Sequence, residues 1–355
     1  MIEEVQFYPC RDVYEEGMAL LAGLEDAALD ARLLLEHFCG IDTNRLLAEP
    51  GMPVSDDLRN AFLKGIERRA AREPLAYIVG EQSFMGLPFI VSEDVLIPEQ
   101  DTENLVEEAL RLIDDGSRIL DLCTGSGCIL LSLLHYTNGC IGVGTDLSEK
   151  ALEIARRNAS AHGLSDQTVW LQGDLFDALD PLNEKDNIKK DNNVKDVRDK
   201  DIKDKDDIDK NSKREDSKRE ENRGDQAEKS TEPEKSESGF PGMSYTSGYD
   251  MIISNPPYIP TSVIDTLQPE VRCAQPRMAL DGGGDGLDFY RRIIREAPVH
   301  LVVGGRLLLE IGYDQAEAVS DLLREAGYYG IEILKDYGGN DRIATAVCSL
   351  AQKRN

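Results

Sequence analysis

The chain has 355 residues, enough for two domains and a full hydrophobic core. It carries 40 basic against 67 acidic residues, a net charge of −27, which disfavours a protein that tracks nucleic-acid phosphates. The apolar fraction, 41%, is slightly low for a globular protein, and a single segment accounts for it.

The opening "MIEEVQFYPC" has neither a signal-peptide core nor an Arg-rich transit pattern. Residues 11–72 read as helices. "ALDARLLLEHFCG" spaces its apolar residues helically and ends on Gly, and "SDDLRNAFLKGIERRAAREP" opens on a Ser cap and stops before Pro74. No strand pattern interrupts them, so residues 1–74 are expected to form a small helical domain. Residues 75–98, "LAYIVGEQSFMGLPFIVSEDVLIP", switch to short β-like runs broken by Gly and Pro and read as a hairpin linker.

From Gln100 the pattern alternates strand and helix. "RILDLCT", "CIGVGTD", "TVWLQGD", "YDMIISN", "GGRLLLEIG", "GIEILKD" and "RIATAVC" make seven strands. Such alternation predicts an α/β fold, a Rossmann-like parallel sheet with helices on both faces, over residues 99–182 and 239–355. Between these halves, Asn183–Ser238 is almost entirely Asp, Lys, Glu, Asn, Arg and Ser, and it reads as a disordered insert. Its charges nearly cancel, leaving 24 basic against 48 acidic residues on the rest of the chain. Seven cysteines without C-x-x-C spacing and four scattered histidines predict reduced thiols, a cytoplasmic location and no metal site. No apolar run approaches the ~20 residues that span a bilayer.

Ligands of open α/β sheets sit at the carboxyl ends of the strands, and the notable motifs all fall there. "DLCTGSGC" (121–128) is a Gly-rich turn between a strand and a helix. Gly125 and Gly127 let backbone approach a ligand, and the helix start offers free N–H groups. No Lys follows, so it is not a P-loop, and it lacks the third Gly of the dinucleotide fingerprint. Asp146 ends the next strand, where an acid accepts ribose hydroxyls or merely caps the helix after it. Asp174 ends the third strand, where it either receives an adenine amino group, with Leu175 against the ring, or serves as a plain N-cap. Together these describe a nucleoside with a small charged tail. Nicotinamide cofactors and S-adenosylmethionine both qualify at this point.

"SNPPYIP" (254–260) decides between them. Each proline fixes φ and removes a donor, and each residue before a proline is pushed to extended geometry. Asn255 and Pro256 are thereby held with acceptor oxygens at a fixed separation, which matches the two donors of a planar –NH2 group. Tyr258 is expected to form an aromatic wall. Such a site grips an amide or exocyclic amine and aims its nitrogen at a methyl sulfonium, so catalysis is by positioning. The substrate supplies the nucleophile and the cofactor supplies the leaving group.

NPPY after the fourth strand is shared by several amino-methyltransferases, among them DNA adenine and ribosomal RNA guanine enzymes. "EPLAYIVGEQSFMGLPF" (73–89), "VLIPEQDTENLVEEAL" (95–110), "LDLCTGSGC", "TDLSEKALEIARRNA" and "LQPEVRCAQPRMALDGGGDGLDFYRRII" (267–294) resemble, more narrowly, the peptide chain release factor glutamine methyltransferases. The likeness covers residues 11–182 and 249–348. It implies transfer of a methyl group from S-adenosylmethionine to the amide nitrogen of the glutamine in the Gly-Gly-Gln loop of class 1 release factors. It also implies a helical N-terminal domain that engages the release factor. Carried over, the cofactor contacts fall on Cys123, Thr124, Gly125, Ser126, Gly127, Asp146, Asp174, Leu175 and Asn255. The substrate glutamine falls on Asn255, Pro256, Pro257 and Tyr258, with Asn255, Pro256 and Tyr258 as the catalytic set. The chain departs from the family in two places. Glu99-Gln100 stands where the family has Arg-Pro, and the long insert is unusual; its position after the third strand predicts an exit on the side of the sheet opposite the site.

A monomer acting on a release factor, without direct nucleic-acid or membrane contact, is the expectation. Two rivals remain: a nucleic-acid amino-methyltransferase, which needs a basic base-flipping cleft, and a non-catalytic adaptor that keeps the fold and binds a translation factor.

Overall fold

A computed structural model of the chain describes residues 6–180 and 246–349; the expected insert at 183–238 lies outside them. Near the N-terminus, helices form where apolar residues recur at helical spacing. Helix α1 (Cys10–Leu20) buries Cys10, Val13 and Gly17, and α2 (Ala27–Cys39) buries Ala31, Leu34 and Leu35 before stopping at Gly40 in the left-handed conformation. Asp42 caps α3 (Thr43–Ala48), and Ser55 caps α4 (Asp56–Ala70), each through a side-chain oxygen that accepts a backbone N–H. Acids open α4 and arginines close it, in line with the helix dipole. A Cβ on Gly17 would come within 2.4 Å of the Phe62 ring, so glycine lets α1 lie close on α4.

Two local readings are corrected. The helical region also holds a small sheet, in which β1 (Phe7–Pro9) pairs antiparallel with β2 (Pro53–Ser55). Each is three residues long and contains a proline, so neither has a strand signature of its own; the pairing is made by the packing of α1 on α4. The first run of the linker is helix α5 (Leu75–Val79), not β-structure. An apolar five-residue run is ambiguous by periodicity alone, and here Pro74 at the cap and left-handed Gly80 at the end enclose one helical turn. A hairpin follows, β3 (Glu81–Phe84) and β4 (Leu87–Ile90), turning on Met85 and Gly86, both at positive φ (52° and 72°) as a type I′ turn requires.

The main sheet contains β5 (Arg118–Leu122), β6 (Ile141–Asp146), β7 (Thr168–Gln172), β8 (Tyr249–Ser254), β9 (Leu301–Glu310), β10 (Tyr329–Lys335) and β11 (Asp341–Val347), in the order β10-β11-β9-β8-β5-β6-β7. Six strands run in one direction, and β11 runs antiparallel to both of its neighbours. The expected parallel sheet is present and carries one reversed strand. The reason is the connection: residues 336–340 are too few for a crossover helix, and a short link can only join antiparallel strands. Helices α6 (Gln100–Leu112), α7 (Cys128–Tyr136), α8 (Glu149–Ala161), α9 (Pro269–Arg272), α10 (Asp288–His300) and α11 (Ala316–Glu325) complete the described elements, with several short 3-10 turns. Central strands bury both faces, as the apolar runs at Ile119–Leu120, Ile252–Ile253 and Leu307–Leu309 show.

Strand order reverses between β5 and β8, so the sheet opens a crevice at their carboxyl ends. The described residues resume just before the opposite, amino end of β8. There the Gly248 N–H donates to the His300 carbonyl (2.8 Å), and the His300 ring stacks on Phe176 of the turn Leu175–Leu179 at 4.5 Å between centroids.

Candidate functional site

The turn after β5 is built on positive φ. Cys123 (58°), Gly125 (55°) and Gly127 (79°) all adopt it, and Cys123 does so without being glycine, a cost that recurs at ligand-binding turns. Thr124 fixes the turn from below. Its N–H donates to the Thr145 carbonyl (3.0 Å) and its hydroxyl to Asp121 Oδ2 (2.5 Å). Burial pushes the Asp121 carboxyl up to about 7, with the nearby Asp146 charge adding to the effect. Asp146 answers the turn from β6: its Oδ2 accepts the Gly125 N–H and its Oδ1 the Ser148 N–H, both at 2.9 Å. Burial raises the Asp146 pKa, and these backbone donors oppose the rise. Gly127 caps α7, and a Cβ there would lie 2.9 Å from the Trp170 ring.

Asn158 of α8 joins this turn to the hairpin. Fully buried, it donates to the Ser126 carbonyl (2.9 Å) and the Ile90 carbonyl (3.1 Å) and accepts the Ile90 N–H (2.7 Å).

Above the turn lies a cavity of about 320 Å³, at the small end of the ~300–1,000 Å³ common for ligand pockets. Cys123, Gly125, Asp146, Asp174, Leu175, Asn255 and Pro257 line it. Of the other residues singled out from the sequence, Thr124, Ser126 and Gly127 shape the turn from behind, and Pro256 and Tyr258 do not line the cavity. One Asp174 oxygen is engaged by Arg292 of α10 (3.0 Å), which also lines the cavity. The roof is Pro276, Met278 and Phe289. Its approach segment is clasped from the helical region: Glu270 sits 3.2 Å from Arg69 and 3.1 Å from Arg72, and Arg69 is 2.7 Å from buried Asp30.

NPPY leaves β8 at the switch point. Asn255 Nδ2 donates to Thr102 Oγ1 of α6 (3.1 Å), which leaves Oδ1 for the cavity. The expected aromatic wall is corrected: Tyr258 turns its hydroxyl inward to Glu310 Oε1 (3.3 Å), because a desolvated phenol needs a partner. Burial and the neighbouring carboxylates Glu310 and Glu99 raise the Tyr258 pKa. The backbone after it is pinned as well. Gln315 Nε2 donates to the Tyr258 carbonyl (3.0 Å) and the Gly286 carbonyl (3.2 Å), and Ile259 exchanges backbone bonds with Leu280 and Gly282. Cβ atoms on Gly282 and Gly286 would come within 2.7 Å and 2.3 Å of Tyr258 backbone atoms.

Glu310 closes β9 and is 2% exposed. Burial pushes its carboxyl up to about 7, opposed by the nearby Thr102 hydroxyl and by Arg342, and its Oε2 is buried without a hydrogen-bond partner. Arg342 meanwhile pairs with Asp101 (3.0 Å) and Asp336 (3.1 Å). Glu99, the first residue of the Glu99-Gln100 departure, stands just before α6 outside the cavity lining. It keeps an exposed face, yet crowding by protein and the Asp101 charge raise its pKa while Arg342 lowers it.

Thr102, Asn158, Arg292, Glu310 and Gln315 are site residues that motif reading passed over. Thr102, Asn158 and Arg292 lie inside the stretches that carry the family resemblance, and that is the one signal available for them.

Residues 12–80 match the family model of the PrmC N-terminal domain, and residues 142–275 match that of the Eco57I restriction-modification methylase. The release factor glutamine methyltransferase of Geobacter sulfurreducens is 34% identical over 97% of this chain and 98% of its own length. That of Moorella thermoacetica is 36% identical over 97% and 98%, and that of Cereibacter sphaeroides 36% over 92% and 92%. With identity at this level across nearly the full length of both partners, the chain belongs to the release factor glutamine methyltransferase family.

Proposed function

We propose that this chain methylates the side-chain amide nitrogen of the glutamine in the Gly-Gly-Gln loop of class 1 peptide chain release factors, with S-adenosylmethionine as donor. One observation carries the reading: Asn255, tethered through its Nδ2 to Thr102, keeps Oδ1 for the cavity that Gly125 and Asp146 share. Charge on the cavity wall supports the cofactor. Asp94, Asp146, Asp174 and Asp281 face a single Arg292, a wall that suits a sulfonium and an ammonium and disfavours the pyrophosphate of a nicotinamide dinucleotide. In this reading Cys123 and Gly125 hold the cofactor on a turn shaped by Thr124, Ser126 and Gly127. Asp146 takes the ribose, and Leu175 with the second oxygen of Asp174 takes the adenine. When bound, S-adenosylmethionine supplies an electrophilic methyl group and a neutral thioether leaving group.

The residues of the chain supply orientation. Asn255 Oδ1 and the Pro256 carbonyl accept the two N–H bonds of the substrate amide, and Pro257 fixes their separation. As nitrogen gains the methyl group it becomes a strong acid and loses a proton to water, so no side-chain base is required. Seven free cysteines support a reducing compartment, the cytoplasm. A second reading, methylation of a nucleic-acid amino group, is favoured by the Eco57I match and opposed by the acidic balance of the chain. Labelled S-adenosylmethionine incubated with a release factor or with nucleic acid separates them, and the reading requires label in the release factor and loss of that label in Asn255→Ala.

A further inference from the structure

Two buried side chains behind NPPY, Thr102 and Glu310, stand between its Asn255 and its Tyr258. Asn255 Nδ2 donates to Thr102 Oγ1 (3.1 Å), and Glu310 Oε1 accepts the Tyr258 hydroxyl (3.3 Å). Glu310 Oε2 is buried without a hydrogen-bond partner, and the neighbouring Thr102 hydroxyl holds the Glu310 pKa down. Thr102 is 4% exposed and Glu310 2%, so water does not come between them from outside. We infer that Glu310 is a positioning residue that sets which end of the Asn255 amide faces the substrate, acting through Thr102.

The argument is one of donors and acceptors. An ionised carboxylate only accepts. Facing it, Thr102 must turn its one hydroxyl hydrogen toward Glu310, and its oxygen is then free only to accept. Asn255 must therefore turn its –NH2 to Thr102 and its Oδ1 to the cavity. That oxygen is what a glutamine –NH2 needs. Replace the carboxylate by an amide and the direction reverses. A Gln at 310 accepts from Tyr258 with its oxygen and donates to Thr102 with its –NH2. Thr102 then donates onward, Asn255 flips to offer its oxygen to Thr102, and two –NH2 groups confront each other at the substrate. Tyr290 holds the Glu310 backbone carbonyl (2.9 Å) independently, so the strand end stays in place when the side chain changes. The inference rests on the proposed amide-gripping role of Asn255, and its test separates the two.

The test compares wild type, Glu310→Gln, Thr102→Val, Thr102→Ser and Asn255→Ala at pH 8. Calorimetry, with S-adenosylhomocysteine present, reads the affinity of each for a Gly-Gly-Gln peptide and for the same peptide ending its motif in Glu. Cofactor binding is expected to stay within about threefold in the Glu310 and Thr102 variants, since none of those changes removes a cofactor-facing acceptor. Wild type and Thr102→Ser are expected to prefer the Gln peptide. Glu310→Gln is expected to lose that preference by about tenfold or more, the scale of one hydrogen bond made or opposed. Its turnover on the release factor is expected to fall by about a hundredfold. Thr102→Val, which removes the intervening hydroxyl without touching Glu310, is expected to lose the preference too, and it carries the test should Glu310→Gln fail to fold. Wild-type peptide preference in Glu310→Gln, or in Thr102→Val, overturns the inference. If Asn255→Ala also keeps wild-type preference and turnover, the amide-gripping reading itself falls; if Asn255→Ala loses both, only the role given to Glu310 does.

Discussion

Asn158 of α8 and Ser126 of the turn between β5 and α7 are joined by a 2.9 Å bond from the Asn158 amide to the Ser126 carbonyl. The same amide group holds both backbone groups of Ile90 in the hairpin. Asn158→Ala is expected to strand a buried carbonyl and the Ile90 N–H, and to cost about 2–4 kcal/mol on the scale of ~1–3 per unsatisfied buried group. Urea unfolding checks the stability. Cofactor titration checks a second consequence, weaker binding through a loosened Gly125 turn. Unchanged stability would mean that the hairpin holds without this stitch.

Glycines 284 and 286 sit two residues apart in one loop and are expected to respond oppositely to alanine. A Cβ on Gly286 would lie 2.3 Å from the Tyr258 carbonyl oxygen, at a φ of 75° that L-residues resist, whereas Gly284 has open space around it. Gly286→Ala should displace NPPY and lower turnover at least about tenfold while cofactor affinity holds, since displacements near 1 Å are costly to positioned reactions. Gly284→Ala should match wild type. Steady-state kinetics on the pair give the answer, and equal behaviour would show that the loop does not support Tyr258.

Glu310 links stability to pH in an uncommon direction. Its carboxyl is raised from 4.5 to about 7 in the folded state, where Glu99, Tyr258, Tyr290, Cys128 and Arg342 surround it. Between those values the folded chain keeps a proton that the unfolded chain has released, so this group's contribution to stability falls as pH rises through the window and is flat above it. The ionised form costs about 3 kcal/mol at pH 8. Glu310→Gln should therefore be more stable than wild type at pH 8 and close to it at pH 5, while being the slower enzyme. Denaturation midpoints at the two pH values measure the difference. Asp121, also raised to about 7, acts in the same window but is common to both proteins and cancels in the comparison.

Strands and their order in the chain were readable because parallel strands are apolar runs between helices, and the ligand crevice was readable because glycines and terminal acids mark strand ends. Asn255 was readable because two prolines constrain it. Its partners were not. Thr102 lies 153 residues from Asn255, and Glu310 lies 52 from Tyr258. Glu310 reads in sequence as the polar end of a strand; only the sheet order, with β9 beside β8, turns it toward NPPY. Asp174 showed a second limit. As an acid at a strand end it reads as an adenine contact or a plain N-cap, while the structure pairs one of its oxygens with Arg292 from a helix over a hundred residues later in the chain. Side-chain pairing across elements has no local signature, whereas backbone constraint does.

Replacing Asn183–Ser238 by a short Gly/Ser linker is expected to leave methylation of the release factor within about threefold. Phe176 and Gly248, which flank the described ends of the connection, both meet His300 at the amino end of β8, while Asn255 leaves the carboxyl end of that strand. Halving a flexible loop changes stability by only ~0.6 kcal/mol. Transfer assays on the whole release factor and on a short Gly-Gly-Gln peptide read the outcome. Loss with the factor alone would make the segment a docking element, and loss with both would overturn the expectation that it leaves the fold on the side opposite the site.

The position of β8 has a consequence during synthesis. β8 fills the centre of the sheet beside β5, yet the two are joined by contacts between residues 132 apart, such as Ser254 Oγ to the Leu122 carbonyl at 2.7 Å. Until β8 leaves the ribosome, one edge of β5 has no strand to pair with, an exposure that invites aggregation. At elongation rates of ~5–20 residues per second, the Asn183–Ser238 segment alone lengthens that wait by roughly 3–11 s. The cost of this insert is thus paid in time on the ribosome, and a chain lacking it should give a higher soluble fraction when expressed at raised temperature.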